Sequence, residues 1–167
     1  MKALFYQPSC GIAGDINLAA MIDLGVPESH LRSELDKLMI NHDFQLVVEP
    51  SSKQGIHGTM VTIKANEGKV HRNLSDVTKI IEQAKFSRSV EAKSLAVFDS
   101  LAQAEGKIHS INPNKIHFHE VGAIDSIVDI VGAAICLDYL GVDKILSNPI
   151  EVGSGFVDCD HGRFPVP

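Results

Sequence analysis

The sequence predicts an α/β domain in which several helices pack on a mixed sheet. The length of 167 residues suits one domain, so we treat residues 1–167 as a single domain. A hydrophobic fraction of 44% with 22% charged residues is typical of a chain that folds around a core. Strand-like and helix-like segments alternate without a strict βαβ repeat, which favours a mixed sheet over an all-parallel one.

The first elements are predicted to be a strand followed by two helices. Residues 3–6 are a short apolar run and read as a strand. A helix with apolar residues at helical spacing follows Gly14 and is stopped by Gly25. Pro27 then opens a second helix, because proline is tolerated in the first turn.

A hairpin is predicted next. Residues 44–49 and 59–65 are rich in β-branched and apolar side chains, which favours strands. We expect residues 50–55 to connect them. Residues 66–69 then read as an internal linker.

The second half is predicted to be mostly helical. Apolar spacing indicates helices over residues 74–84 and 90–101. A third, largely buried helix is expected over residues 121–140, with Gly141 as the residue that ends it. Residues 145–152 predict one or two strands broken at Pro149.

Composition excludes several classes of function. The net charge is −6 with scattered basic residues, and aromatic residues are 5% with no tryptophan, which disfavours nucleic acid as a partner. No apolar stretch approaches the roughly 20 residues of a membrane span, and we expect no membrane association and a cytoplasmic location.

Three widely spaced cysteines predict reduced thiols, with Cys136 a small core residue. A homo-oligomer is compatible with the sequence.

The densest group of chemically capable side chains begins at His117. In an extended segment His117 and His119 point to the same face, with Glu120 next to them, and Asp125 and Asp129 share a helix face at i, i+4. Imidazole and carboxylate together suit nickel, zinc or manganese, or a proton-transfer site. The alternative is structural, since buried helices also use aspartates as hydrogen-bond anchors.

A second candidate site is the glycine-containing segment that precedes the first helix. Gly11 and Gly14 would let the backbone approach a phosphate at a helix N-terminus. Asp15 would repel that phosphate unless a metal ion lay between them. The segment lacks the lysine of a P-loop, and turn geometry with N-capping explains it about as well.

A third candidate follows Gly153, where Cys159 and His161 are close enough in sequence to chelate a soft or borderline metal. No second Cys/His pair accompanies them, so a structural zinc site is not supported. A solvated loop is the expectation for this segment.

Taken in order along the chain, these segments resemble the LarC-type nickel insertion proteins. The resemblance rests on residues 5–24 around Gly-Ile-Ala-Gly-Asp, on residues 55–59, on residues 116–132 with the sequence IHFHEVGAIDSIVDIVG, and on residues 152–156 and 161–167. It implies a CTP-requiring enzyme, with Mg or Mn, that inserts nickel into pyridinium-3,5-bisthiocarboxylic acid mononucleotide to form the nickel-pincer cofactor of lactate racemase. The resemblance further implies a nickel-inserting lyase (a cyclometallase) whose members are about twice as long, so a C-terminal portion is expected to be missing here.

Combined with the residues, the resemblance gives a leading hypothesis and two alternatives. His117, His119 and Glu120 are the candidate catalytic groups, since a nickel–carbon bond forms with loss of a ring proton to a base. His117, His119, Asp125 and Asp129 are the candidate metal ligands, and Gly11, Gly14 and Asp15 the candidate cofactor-binding residues for a nucleotide-like small molecule. The alternatives are a metal-dependent phosphohydrolase and a non-catalytic assembly or substrate-docking module.

Overall fold

The computed structural model describes residues 1–40, 42–66, 72–118, 121–159 and 162–166. Its elements, in chain order, are β1 (Ala3–Tyr6), α1 (Gly14–Asp23), α2 (Glu28–Leu35), β2 (Phe44–Lys53), β3 (Ile56–Ala65), α3 (Leu74–Gln83), α4 (Arg88–His109), a 3₁₀ turn (Pro113–Lys115), α5 (Ile124–Leu140), β4 (Lys144–Ser147), β5 (Gly155–Cys159) and β6 (Gly162–Val166). Within these residues no helix is both long enough and apolar enough to cross a membrane.

The predicted α/β class is confirmed. The described strands pair as three two-stranded ladders: β1 with β4 in parallel, β2 with β3 and β5 with β6 antiparallel. Parallel and antiparallel pairing therefore occur in different sheets and not in one mixed sheet. Hydrophobic patterns predict β1 to β4, but the choice of partner depends on contacts distant in sequence.

By internal contacts the chain divides into two compact units. The central unit is Gly14–Leu140, and the terminal unit combines Met1–Ala13 with Gly141–Pro167. The central unit contains all five helices and the β2–β3 hairpin. The terminal unit contains the β1–β4 and β5–β6 ladders.

The core of the central unit surrounds α5. Eight of the 17 residues of α5 are buried, and α1, α2 and α4 all pack against it. Gly132 permits a close approach of α1, since a Cβ added there would lie 2.9 Å from Leu18 Cδ2. Phe98 of α4 and Phe118, both fully buried, have ring centroids 6.1 Å apart and close the other side of the core.

The hairpin of the central unit is longer than predicted. Residues 50–53, expected to be a connector, continue β2, and Pro50 pairs with Thr59. The turn is reduced to Gln54 and Gly55, both with positive φ (53° and 82°), which gives the twist that two-residue hairpin loops require. Cross-strand pairing overrides the weak strand propensity of the Pro-Ser-Ser segment.

Several helix boundaries follow from capping. Asn73 and Asp76 form a reciprocal capping box at the start of α3. Pro27 is the N-cap residue of α2, which begins one residue later than predicted. The helix predicted over residues 121–140 begins at Ile124, and Gly141 follows it with a φ of 62°.

Candidate functional site

His117 lies in an extended segment between two anchors of the central unit. Ile116 and Phe118 on either side are buried at 2% and 0% exposure, whereas His117 is exposed. This alternation is the one predicted for an extended chain. A β-bridge between His117 and Asn73 and a hydrogen bond from Phe118 N to the Arg72 carbonyl (2.9 Å) hold the segment in place. The imidazole of His117 is therefore presented outward from a fixed backbone.

The turn before α5 is tied to the same segment. The Arg72 guanidinium donates to the Gly122 carbonyl at 2.9 Å. A Cβ at Gly122 would lie 3.0 Å from Phe118 Cβ and 3.2 Å from the Arg72 carbonyl oxygen, so the chain passes closely here only because residue 122 is glycine. These contacts position the N-terminus of α5, and with it Asp125.

The side chain of Asp129 packs directly against the first residue of α1. A Cβ built on Gly14 would lie 2.1 Å from Asp129 Oδ2 and 2.2 Å from its Cγ, so no side chain fits at position 14. Asp125 and Asp129, at i, i+4 on α5, share the helix face predicted for them. The missing side chain of Gly14 thus makes room for a carboxylate of this chain.

Electrostatics around Asp129 disfavour its ionised form. Oδ1 is buried and has no hydrogen-bond partner in the part of the chain that the structure describes. Burial, followed by repulsion from Asp15 and Asp125, raises the pKa of Asp129 from 3.8 to about 6. A buried carboxylate oxygen with two acidic neighbours is stabilised by a proton or by a cation. The arrangement therefore favours cation binding or proton transfer.

A groove of about 350 Å³ lies between α1 and the hairpin of the central unit, and Asp15 lines it. Asp23, also in the groove, accepts a hydrogen bond from Thr59 Oγ1 at 2.6 Å, which fixes the hairpin against α1. Ile16 and Met60 give the groove an exposed apolar surface. Its volume lies within the range of small-molecule sites, and its lining combines apolar side chains with carboxylates.

The structure brings some predicted site residues together and leaves others apart. Gly14, Asp15, Asp125 and Asp129 form one group, as the Asp129 interactions show. His119 and Glu120 lie outside the described residues. Among the described residues, no three His, Cys, Asp or Glu side chains are grouped so as to hold a metal ion.

The remaining predicted positions belong to the terminal unit. Gly11 has a φ of 87°, and a Cβ on it would lie 3.3 Å from the Glu151 carbonyl oxygen, so a local turn and close packing account for this glycine. The segment around Cys159 is the β5–β6 hairpin, so the expectation of a solvated loop there is wrong. His161, the second predicted chelator, lies outside the described residues. Cys136 is fully buried as predicted, and burial raises the pKa of its thiol to about 12.

Sequence reasoning missed two features of this region. The contact between Gly14 and Asp129 joins residues on different helices, and local spacing carries no signal for it. The groove beside Asp15 depends on the Asp23–Thr59 hydrogen bond between α1 and β3, which is equally non-local. The available signal was the glycine at position 14 followed by an acid in the first turn of α1, and this pattern fits a phosphate site and a capped turn about equally well.

The central unit therefore places the carboxylates of Asp15, Asp125 and Asp129 in the first two turns of two packed helices. Comparison with known proteins identifies the family: the family model described as "Nickel insertion protein" matches residues 4–167, and the chain belongs to that family. Its match with longer relatives makes it the N-terminal part of such a protein.

Three relatives illustrate the similarity. The proteins of Clostridium kluyveri, Akkermansia muciniphila and Clostridium acetobutylicum are 50%, 44% and 42% identical over the whole of this chain. Each is named pyridinium-3,5-bisthiocarboxylic acid mononucleotide nickel insertion protein. The chain covers 45%, 43% and 48% of their respective lengths, so it spans less than half of each relative. No solved structure matches it.

Proposed function

We propose that residues 1–167 form the N-terminal domain of an enzyme that inserts nickel into pyridinium-3,5-bisthiocarboxylic acid mononucleotide, and that this domain supplies cation-binding and proton-accepting groups. The family and the names of the relatives support the reaction. The main observation in support of a role for this domain is that Asp129 Oδ1 is buried without a hydrogen-bond partner among the described residues. Asp15 and Asp125 lie close enough to repel it. The finer assignment, a CTP-dependent lyase of the cyclometallase type acting in the cytoplasm, is part of the same proposal.

Nickel is the substrate metal in this proposal. Asp125 and Asp129 provide carboxylate ligands, and His117 and His119 the imidazoles that a borderline divalent ion prefers. No three candidate ligands are grouped among the described residues, so the proposal requires further ligands, from His119 and from the rest of the longer protein. When the nickel–carbon bond forms, the ring C–H bond breaks and its proton passes to a base, a role we assign to His117, His119 or Glu120.

The nucleotide-like substrate is assigned to the groove that Asp15 lines. Asp15 requires a cation between its carboxylate and a phosphate. Its carboxylate fits Mg or Mn, hard ions that prefer oxygen ligands, and such an ion would neutralise phosphate charge there. The groove that Asp15 lines has room for a small-molecule ring next to the carboxylates. The remaining length of the relatives is the partner that completes the site.

Titration calorimetry with Ni²⁺ at pH 7 tests this role. We expect micromolar or weaker affinity for the 167-residue chain, because an incomplete ligand set must be ordered on binding. Asp129→Asn and His119→Ala should each weaken binding at least tenfold. Asp99→Asn, an exposed acid on α4 bonded only to Gln103 of the same helix in the described structure, is the matched control and should leave the affinity unchanged. A nanomolar site, or an affinity indifferent to Asp129 and His119, would place the ligands elsewhere, with Cys159 and His161 next to be tested.

The two alternatives make different predictions in the same assays. A metal-dependent phosphohydrolase would turn over generic phosphoesters with Mn²⁺ or Ni²⁺ in the absence of the pincer precursor. A non-catalytic docking module would leave nickel insertion intact after His117→Ala and His119→Ala in the longer protein. Loss of insertion in both variants, with no phosphoester turnover, supports the proposal over the two alternatives.

A further inference from the structure

The described residues of the terminal unit form strands but no apolar core. Pro8 is buried there, and every other buried apolar side chain of the described residues lies in the central unit, between Leu18 and Cys136. A unit of this size, about 40 residues, buries too little surface to be stable on its own without a disulfide, a metal or a partner. Its cysteines, Cys10 and Cys159, are free. A unit of this kind is expected to need a partner surface for its stability.

The parallel ladder of this unit has exposed apolar side chains on both faces. Leu4 pairs with Ile145 on one face and Phe5 with Leu146 on the other. Phe5, Ile145 and Leu146 are 50%, 48% and 41% exposed. Parallel strands are almost always covered on both faces, and two such strands alone are not a stable sheet. This ladder therefore exposes apolar side chains of the kind that a parallel sheet ordinarily covers.

The β5–β6 hairpin has one apolar face as well. Val157 pairs with Phe164 across the strands, and the two side chains are 47% and 48% exposed. The opposite face is different in character, because the Arg163 guanidinium lies 4.8 Å above the Phe156 ring. The face with Val157 and Phe164 is thus the one suited to pack against another layer, and the hairpin edges offer unpaired backbone groups for a further strand.

The length of the relatives points to the occupant. The relatives have more than half of their length outside the region that this chain matches. We propose that the segment following this region in the longer proteins packs on the terminal unit, covering the Val157–Phe164 face and the β1–β4 ladder. This inference rests on the proposal that the chain is one domain of a longer enzyme.

Co-expression tests this surface. The tagged 167-residue chain is produced with the remaining part of the Clostridium kluyveri relative, and co-purification is measured for the wild type, Phe164→Asp and Ile108→Asp. Ile108 on α4 is 78% exposed and is the matched control for adding a charge at an exposed apolar position. We expect association with the wild type and with Ile108→Asp, and at least a tenfold loss with Phe164→Asp. Equal recovery with all three chains would overturn the inference.

Hydrogen exchange gives a second, independent readout. The 167-residue chain is joined to the remaining part of the Clostridium kluyveri relative in one polypeptide. The rate of amide exchange of residues 155–166 is then compared between this joined protein and the 167-residue chain alone. We expect at least tenfold slower exchange in the joined protein, with α4 unchanged; equal rates would overturn the inference. Two results for the 167-residue chain alone would contradict the proposed occupant. If Phe164→Asp lowers its free energy of unfolding, the face is covered within this chain. If Phe164→Asp converts a dimer to a monomer, a second copy covers the face. Nickel binding depends on Asp129 in the central unit, so failure here is distinguishable from failure of the proposed function.

Discussion

Replacing Asp129 with asparagine is expected to stabilise the protein at neutral pH. The ionised carboxylate is half-buried, has an unpartnered Oδ1, and is repelled by Asp15 and Asp125. Raising its pKa from 3.8 to about 6 corresponds to about 3 kcal/mol at most. Because water screens a half-buried group, we expect Asp129→Asn to raise the free energy of unfolding at pH 8 by about 1 to 1.5 kcal/mol.

The pH dependence of this effect provides the decisive measurement. The pKa of Asp129 is raised in the folded state, so the folded protein binds more protons than the unfolded chain between pH 3.8 and about 6. The contribution of Asp129 to stability is present below pH 3.8 and is lost as the pH rises through 6. The difference between Asp129→Asn and wild type should therefore be near zero at pH 4 and complete by pH 7.

Urea unfolding followed by circular dichroism across this pH range measures the difference directly. Asp99→Asn on α4 controls for the loss of a charge and should change the free energy of unfolding by less than about 0.5 kcal/mol at every pH. A saturating divalent cation should reverse the order, because it stabilises only the protein that retains the carboxylate. An Asp129→Asn protein that is less stable than wild type at pH 8 without metal, or a difference independent of pH, would refute the electrostatic reasoning.

Three further substitutions or reagents test the surroundings of the site. Gly14→Ala should lower the free energy of unfolding by about 2 to 3 kcal/mol, because its Cβ would lie 2.1 Å from Asp129 Oδ2; the cost should fall in an Asp129→Ala background, which a double-mutant cycle would measure. Asn73→Ala should cost about 1 kcal/mol by removing the α3 cap, and should speed amide exchange at the neighbouring β-bridge; an unchanged melting temperature would contradict this. Cys10 should react with a thiol reagent in the native protein and Cys136 only after unfolding, since the latter is buried and its thiol stays protonated; native labelling of Cys136 would contradict its core position.

Short-range patterns in the sequence were sufficient for most elements and for part of the site. Apolar spacing predicted all five helices, and the i, i+4 spacing placed Asp125 and Asp129 on one face of α5. The alternation expected of an extended chain around His117 is found, with residues 116, 117 and 118 buried, exposed and buried. Each of these inferences depends only on residues within about one helical turn or one strand pleat, and such residues can be identified directly from their spacing in the sequence.

Features that depend on distant residues could not be predicted. The strand partners follow from which segments meet in space, so three ladders formed where one sheet was expected. A loop was predicted after Gly153 because glycines and charged residues obscure the strand pattern there, whereas residues 155–159 pair with residues 162–166. For Gly14 a phosphate site and a capped turn were both compatible with the sequence, which does not show that Asp129 fills the space.

The packing of α1 on α5 and the electrostatics of the site have the same structural origin. Gly14 lets the Asp129 carboxylate reach the start of α1, and Gly132 on the same helix as Asp129 makes room for Leu18 of α1. Both glycines lie in the interface between the two helices, so their missing side chains set how closely Asp15 approaches Asp129. Since repulsion between these acids falls with distance, any change that separates the helices lowers the pKa of Asp129 and weakens its preference for a proton or a cation. The acidity of the site is therefore fixed by buried helix packing, which explains why its carboxylates can remain close together in spite of their charge.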